Sequence, residues 1–580
     1  MALLRKRKRP KSYVIVETGE PVAPAASSVT AVSGRARQAA RARARIAMSA
    51  LAFAAAFCAL GVRLAFVASG DVAPRSRIAA DARPNDALRP EILDRNGVIL
   101  SANLPMTALE IAGREVWDPD ETAAAVARTF EGVNEGDLAQ KLREKRYVEV
   151  LSDMTPAQQE AAFALGLPGV RFSSRTKRFY PQTDLAAHVI GHTEPGKGGV
   201  MGLEAAVDRR GGEGPLVASI DTRVQQALED ELSRGVEEFS AAAAWGAVMD
   251  VTTGEVIALA SLPDFDPNDP GAAPADWRRN RATYDRYELG SAMKAMTAAA
   301  AVEAGVANEE STYDARGTYR LADRTISDFH GENRILTFSE VIEYSSNIGM
   351  ARMVDALGVE RQRAALAALG FLAPLEIELP ENRPTEIPAR WGPVEAMTIS
   401  YGHGITITPL HLLAGFSAVV NGGEFRMPTF LKAESARPGK RVFSPETSAI
   451  MRRVLRRVIT EGTASKSEVP GYFPIGKTAT AEKPRRGGYD RSSRISSFIG
   501  AFPGHDPRYA VLISFDEPQP TKNTYGYATA GWNAAPAFAA IVARIAPALG
   551  VMPSNETIAL AGFYNGVPAK TKTASLGGAP

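Results

Sequence analysis

GSAMKAMTAAAAVEAG, residues 290–305, is the stretch on which the reading of the whole chain turns. Its mostly apolar, alanine-rich run up to Gly305 predicts a helix over Ser291–Gly305. Ser291 and Lys294 stand three apart in the first turn, so one helix face carries both side chains within reach of each other. A serine hydroxyl is a poor nucleophile until a neighbouring base takes its proton. A lysine can be that base once burial lowers its pKa, and the run AMTAAAAVEA supplies such burial. The free backbone N–H groups of the helix N-terminus favour developing negative charge nearby.

Two further patterns follow in order. In Ser345-Ser346-Asn347, the Ser345 hydroxyl can relay a proton between Lys294 and a leaving amine. Asn347, donor and acceptor at once, can orient Lys294 and bind a substrate amide. Lys477-Thr478-Ala479-Thr480 comes after the apolar Tyr472–Ile475 and Gly476, which places it on a strand. There Lys477 with the Thr478 and Thr480 hydroxyls can hold a carboxylate, and the backbone N–H groups of Thr480 and Ser291 can form an oxyanion hole. The same letters recur as Ser101-Ala102-Asn103 and Lys572-Thr573-Ala574, where no flanking structure is expected to hold them; both read as chance.

Working outward, Trp245–Asp250 and Glu255–Ser261 flank Thr252-Thr253-Gly254 as a hairpin, and Ile495–Phe502 and Tyr509–Phe515 repeat the pattern around Gly504–Pro507. Helical patterns cover Asp221–Gly235 and Ala534–Leu549. Strands at both ends with helices between predict one α+β domain over 216–560, its sheet assembled from distant segments. Before it, Arg89–Leu100 carries an Asn-Gly turn signal, and residues 105–215 mix short strand and helix patterns without a catalytic cluster. We read 68–215 as a non-catalytic spacer and 561–580 as a loose tail.

At 580 residues the chain is too long for one ordinary core, and its 45% hydrophobic and 23% charged composition is that of a globular protein. The net charge of +2 conceals an asymmetry, because Lys and Arg crowd residues 1–45, where Glu17 and Glu20 are the only acids. Ile46–Val67 then runs apolar but for Arg63, long enough to span a bilayer and too long for the apolar core of a cleavable leader. A basic block before a spanning helix orients the N-terminus to the cytoplasm and exports the rest; it argues against nucleic acid as the partner. We expect 1–45 to be a basic, largely disordered tail and 46–67 a retained anchor. The one cysteine, Cys58, lies in the anchor, which excludes disulfides from the exported part. His188 and His192 share a face if helical but have no third ligand near them, so they read as structural; no metal or cofactor is expected.

The ordered triple set resembles the S-x-x-K, S-x-N and K-T-G motifs of penicillin-binding proteins and serine β-lactamases. DRNG at Asp94–Gly97, HVIGHT at His188–Thr193, GLE at Gly202–Glu204, YGHGITITPL at Tyr401–Leu410 and SSFIGAFP at Ser496–Pro503 are similar to the class B branch, its division-specific members above all. The resemblance covers about residues 89 to 540. It implies an elongated α+β pedestal followed by a transpeptidase domain with a five-stranded sheet between helical layers. It implies acylation of Ser291 by a D-alanyl-D-alanine stem peptide, transfer to a neighbouring amine, and inhibition by β-lactams. The implied partners are the glycan-strand polymerase and other divisome proteins of the inner membrane, at the septum. Two positions depart from the pattern. Ala479 replaces the usual glycine, and its methyl is expected against the acylating ligand, slowing bulky β-lactams; Leu289 replaces a frequent proline, with little expected effect. An elongation transpeptidase and, from another class, a catalytically weak scaffold are the competing readings.

Overall fold

The computed structural model describes residues 29–68 and 89–564, except 212, 213, 289, 323, 330, 436, 486 and 487. Expectations for residues 1–28, the Arg63 side chain, Leu289 and the tail from 565, Lys572-Thr573-Ala574 included, lie outside the described residues.

Helix α1 (Val29–Ala68) contains the span Arg43–Gly61, with mean hydropathy 1.7, long and apolar enough to cross a membrane. The helix starts well before residue 45, so residues 29–45 are not the disordered segment expected. The reason is local: RARQAARARAR is built from Ala, Arg and Gln, all strong helix formers, with no proline.

The Asn-Gly signal gives a hairpin of β1 (Ile92–Leu93) and β2 (Ile99–Ala112), paired Ile92 to Ser101. Helices α2 (Pro119–Thr129) and α3 (Glu135–Arg143) follow, capped by the Asp118 and Asn134 side chains. Strands β3 (Tyr147–Met154) and β4 (Val170–Phe179) both pair antiparallel to β2, Ala102 standing opposite Phe179. Leu109, Ile111, Val126, Leu138 and Leu142 build a separate small core here. Helix α4 (Gly202–Arg210) then leads to β5 (Leu216–Val217), which pairs parallel to β1 and makes this sheet mixed.

The second sheet is antiparallel throughout. Asp221 caps α5 (Thr222–Phe239), and the hairpin β6 (Ala243–Asp250) and β7 (Val256–Leu262) follows it. The remaining strands come more than two hundred residues later: β8 (Ile475–Arg485), β9 (Gly488–Phe502) and β10 (Tyr509–Asp516). The order is β8-β9-β10-β6-β7, which leaves β8 at one edge. The helices between the two strand groups include the largely buried α6 (Met293–Glu303), α7 (Asn347–Leu357) and α8 (Pro409–Val420). Helix α9 (Pro445–Thr460) packs along β8, and α10 (Ala534–Ala548) closes the domain against α5.

Both sheet faces are covered. Phe498 of β9 meets Phe538 of α10 edge-on at 4.7 Å, while Met249 of β6 faces Ser417 of α8 from the other side. Gly235 lets α5 lie flat on the sheet, since a Cβ there would sit 2.3 Å from the Phe515 ring. A final helix, α11 (Glu556–Tyr564), extends past residue 560, so residues 561–564 are not loose. Buried Phe563 packs on His505, and its carbonyl accepts from Arg453, which ties this helix down.

Candidate active site

Ser291 lies in a 3₁₀ turn, Gly290–Ala292, that feeds α6, so it precedes the α-helix rather than lying inside it. The serine is half-buried, and its hydroxyl makes no hydrogen bond among the described residues. The turn rests on the edge strand: a Cβ on Gly290 would lie 3.3 Å from the Thr480 carbonyl and 3.5 Å from the Ala481 methyl. Behind it, Gly402 of the YGHG segment approaches so closely that a Cβ there would come within 2.1 Å of the Gly290 carbonyl oxygen. Gly402 also has φ +90°, so a side chain is excluded twice over. Sequence reading singled out the segment but gave Gly402 no role.

Lys294, one turn on, is completely buried. Its Nζ donates to both the carbonyl and the hydroxyl of Ser345, the latter at 3.0 Å. Ser345 can offer both oxygens because its backbone is left-handed, φ +61°. For a residue other than glycine that conformation costs of order 1–3 kcal/mol, and such strain collects at functional sites. Burial drives the Lys294 pKa far below the ordinary lysine range, the nearby Lys477 charge lowers it further, and Asp328 opposes both.

Lys477 is also fully buried, and burial alone brings its pKa to about 7. Its Nζ reaches the carbonyl of Thr478 at 3.1 Å. The Thr478 hydroxyl shares a 2.8 Å hydrogen bond with that of Thr463, and Ala530 N–H donates to the Thr480 hydroxyl at 3.4 Å. A residue's N–H and C=O leave an antiparallel strand on the same side. Since the Thr480 carbonyl faces the Gly290 turn, its N–H does too, along the unpaired edge of β8.

Asn347 does not make the contact to Lys294 that its pattern suggested. Its side-chain amide donates to the Ser327 carbonyl at 3.3 Å instead of reaching Lys294. The residue that organises this turn is Asp328, which sequence reading missed. One carboxylate oxygen accepts from Asn347 N–H at 2.5 Å and Ile348 N–H at 3.0 Å; the other accepts from the Ser346 hydroxyl at 2.7 Å. No spacing rule links RTISD to the turn that begins at Ser345, because the contact is tertiary.

The Ala479 methyl lies on the strand face shared by Lys477 and Ala481, is 3% exposed and packs within the main core, as buried as the lysine beside it. His188 and His192 are not helix neighbours, because the short helix there ends at Ile190; both rings stand edge-on to Phe265. Ser101-Ala102-Asn103 is firmly held, contrary to expectation, by Glu204, Arg178 and the Arg89 carbonyl.

Comparison with known proteins agrees with this geometry. The sequence model described as the penicillin-binding protein transpeptidase domain matches residues 245–543, and that of the penicillin-binding protein dimerisation domain matches 84–207. The chain is 40% identical over 522 residues to the probable peptidoglycan D,D-transpeptidase FtsI of Caulobacter vibrioides, covering 87% of this chain and 89% of that protein. It is 30% identical over 516 residues to the probable peptidoglycan D,D-transpeptidase PenA of Neisseria meningitidis, covering 82% and 87%. It is 27% identical over 510 residues to the peptidoglycan D,D-transpeptidase FtsI of Escherichia coli, covering 81% and 85%. The chain belongs to the class B penicillin-binding proteins of the FtsI type.

Proposed function

We propose that this chain is a septal peptidoglycan D,D-transpeptidase that works through an acyl-enzyme on Ser291. The observation that carries the assignment is the placement of Lys294, fully buried one turn after Ser291 with its Nζ donating to both oxygens of Ser345. A neutral lysine amine has two N–H bonds and one lone pair. With both N–H groups given to Ser345, the lone pair is left to take the Ser291 proton.

Ser291 Oγ then attacks the penultimate D-alanine carbonyl, and the N–H groups of Ser291 and Thr480 hold the oxyanion. Lys294, now an ammonium, passes a proton to the Ser345 hydroxyl as that hydroxyl protonates the leaving nitrogen of the terminal D-alanine. The ester remains on Ser291. An amine from a neighbouring stem peptide attacks it, gives up its proton through the same relay, and leaves Ser291 free. Lys477, Thr478 and Thr480 hold the donor's terminal carboxylate. Asn347 binds the stem-peptide amide if its side chain leaves Ser327. A β-lactam opens on Ser291 by the first step.

The basic block and α1 fit a single-pass anchor in the inner membrane with the N-terminus cytoplasmic. The pedestal then spans 68–215 and the transpeptidase domain 216 to the end of α11. The partners are the glycan-strand polymerase and other divisome membrane proteins.

The test is intact-mass analysis of the full-length chain in detergent after exposure to benzylpenicillin, beside Ser291→Ala. One adduct on the parent and none on the variant is expected. A folded parent that takes no adduct sinks the enzymatic reading and favours a scaffold.

A further inference from the structure

We propose that Asp328 is a positioning residue of the acyl-transfer site, clamping the Ser345–Asn347 turn onto Lys294 and presenting a negative charge to that lysine. The inference rests on the acyl-enzyme reading above and adds a residue to it.

Geometry comes first. The N-terminus of α7 has free N–H groups that need acceptors. Ser346 is already its N-cap, accepting from Gly349 N–H at 2.9 Å. Asp328 takes the two N–H groups that Ser346 leaves, at Asn347 and Ile348, and also accepts the Ser346 hydroxyl proton. A single remote carboxylate therefore grips three consecutive residues. Ser345 is the next residue back, in its left-handed conformation with both oxygens on Lys294. A clamp of this kind holds a strained residue in register, and register here sets the proton relay.

Charge comes second. Lys477 on β8 faces Lys294 and repels its ammonium form. His403 lies close enough to feel Lys294, with Glu288 and Glu482 acting on it in turn. Among the described residues Asp328 is the carboxylate that acts directly on Lys294, and it favours the ammonium. Burial and Lys477 push the lysine toward the free base, while Asp328 pulls it back toward the ammonium.

The experiment measures the second-order rate of Ser291 acylation by a fluorescent penicillin from pH 5 to 10. It compares the full-length parent in detergent with Asp328→Asn and Asp328→Ala. Asparagine keeps an acceptor for the two N–H groups but removes the charge, so Lys294 loses its proton more easily. The acid limb of the profile should then move about one unit lower in pH. That limb belongs to the Lys294–Lys477 pair jointly, so the readout is the shift between variants. Asp328→Ala also releases the turn and should lose roughly tenfold to a hundredfold in rate on the plateau above the acid limb. An Asp328→Asn profile that superimposes on the parent overturns the proposal. So does a uniform drop with the acid limb in place, because a plain helix cap would give that. If Asp328→Ala does not fold, the Asp328→Asn profile still decides the matter. A parent that is not labelled at Ser291 refutes the acyl-enzyme reading itself, which is a separate result.

Discussion

Ser101-Ala102-Asn103 in β2 and Ser345-Ser346-Asn347 before α7 spell the same pattern, and each stands beside a fully buried charge. In the pedestal that charge is Glu204, and it is neutralised completely. Arg89 and Arg178 approach it at 3.1 and 2.8 Å, and Ser101 donates to it at 2.6 Å. Asn103 completes the cluster by accepting from Arg178 and donating to the Arg89 carbonyl. In the catalytic domain the charges are Lys294 and Lys477, and their hydrogen-bond partners are neutral oxygens of Ser345 and Thr478. Among the described residues neither lysine has a carboxylate within ion-pairing distance. Taking a charge out of water costs several kcal/mol unless a partner returns it. The pedestal supplies partners and gains a fixed joint between β2, β4 and α4. The Ser291 site offers neither lysine an ion pair, Asp328 acting on Lys294 only from a distance, and burial leaves both lysines holding their protons weakly. A satisfied buried ion is architecture; a buried lysine without an ion-pair partner is a candidate for proton transfer.

The largest effect that can break this contrast is Lys294→Met. Methionine fills similar space without a base, so acylation should fall by about 10²–10⁴-fold, the span that general-base catalysis usually covers. Stability should hold or rise, because an uncompensated buried amine is removed. Penicillin acylation rates and a melting curve on the same sample check both halves. A large drop in melting temperature would make Lys294 a structural ion like Glu204, and the contrast would collapse.

Glu204→Ala is the mirror experiment, next in size. It strands Arg178, which is almost fully buried, and should cost about 3–5 kcal/mol in denaturant unfolding. The acylation rate of the protein that remains folded should not change, since the cluster touches none of the Ser291 machinery. Loss of acylation at native stability would show that the pedestal joint communicates with the site.

The legible parts of this protein were those governed by local rules. Helix and hairpin signals placed α5, β6, β7, β9, β10 and α10 within a few residues, apart from β9, which starts seven residues before the expected Ile495. Local spacing also made Ser291, Lys294, Ser345 and Lys477 stand out. What failed to show was tertiary. Asp328 reaches the Ser345 turn across sequence that carries no pattern, and Gly402 matters only because Gly290 lies on it. The tail was misread at residues 561–564 because Phe563 finds a pocket against His505 that no local signal announces. Asn347 was given the partner its motif suggested, whereas its actual partner depends on where the 324–329 segment runs.

Ala479 is the smallest and sharpest test of the contrast, since it stands between the buried Lys477 and the turn that carries Ser291. The motif pattern puts its methyl in the ligand's space, whereas its 3% exposure makes a methyl packed in the core the competing placement. The two placements predict opposite signatures for Ala479→Gly. A methyl facing ligand would, on removal, speed acylation by bulky cephalosporins more than by benzylpenicillin and leave stability nearly intact. A packed methyl gives the reverse. Its loss removes about 0.8 kcal/mol of burial, and glycine in a strand adds roughly 0.5–1 kcal/mol through backbone entropy. Unfolding should therefore show a deficit of about 1–2 kcal/mol, while both drugs acylate Ser291 with rates changed by the same factor. A selective gain for the bulky drug at unchanged stability would return the methyl to the ligand. The equal-factor result instead makes Ala479 part of the core packing beside the buried Lys477.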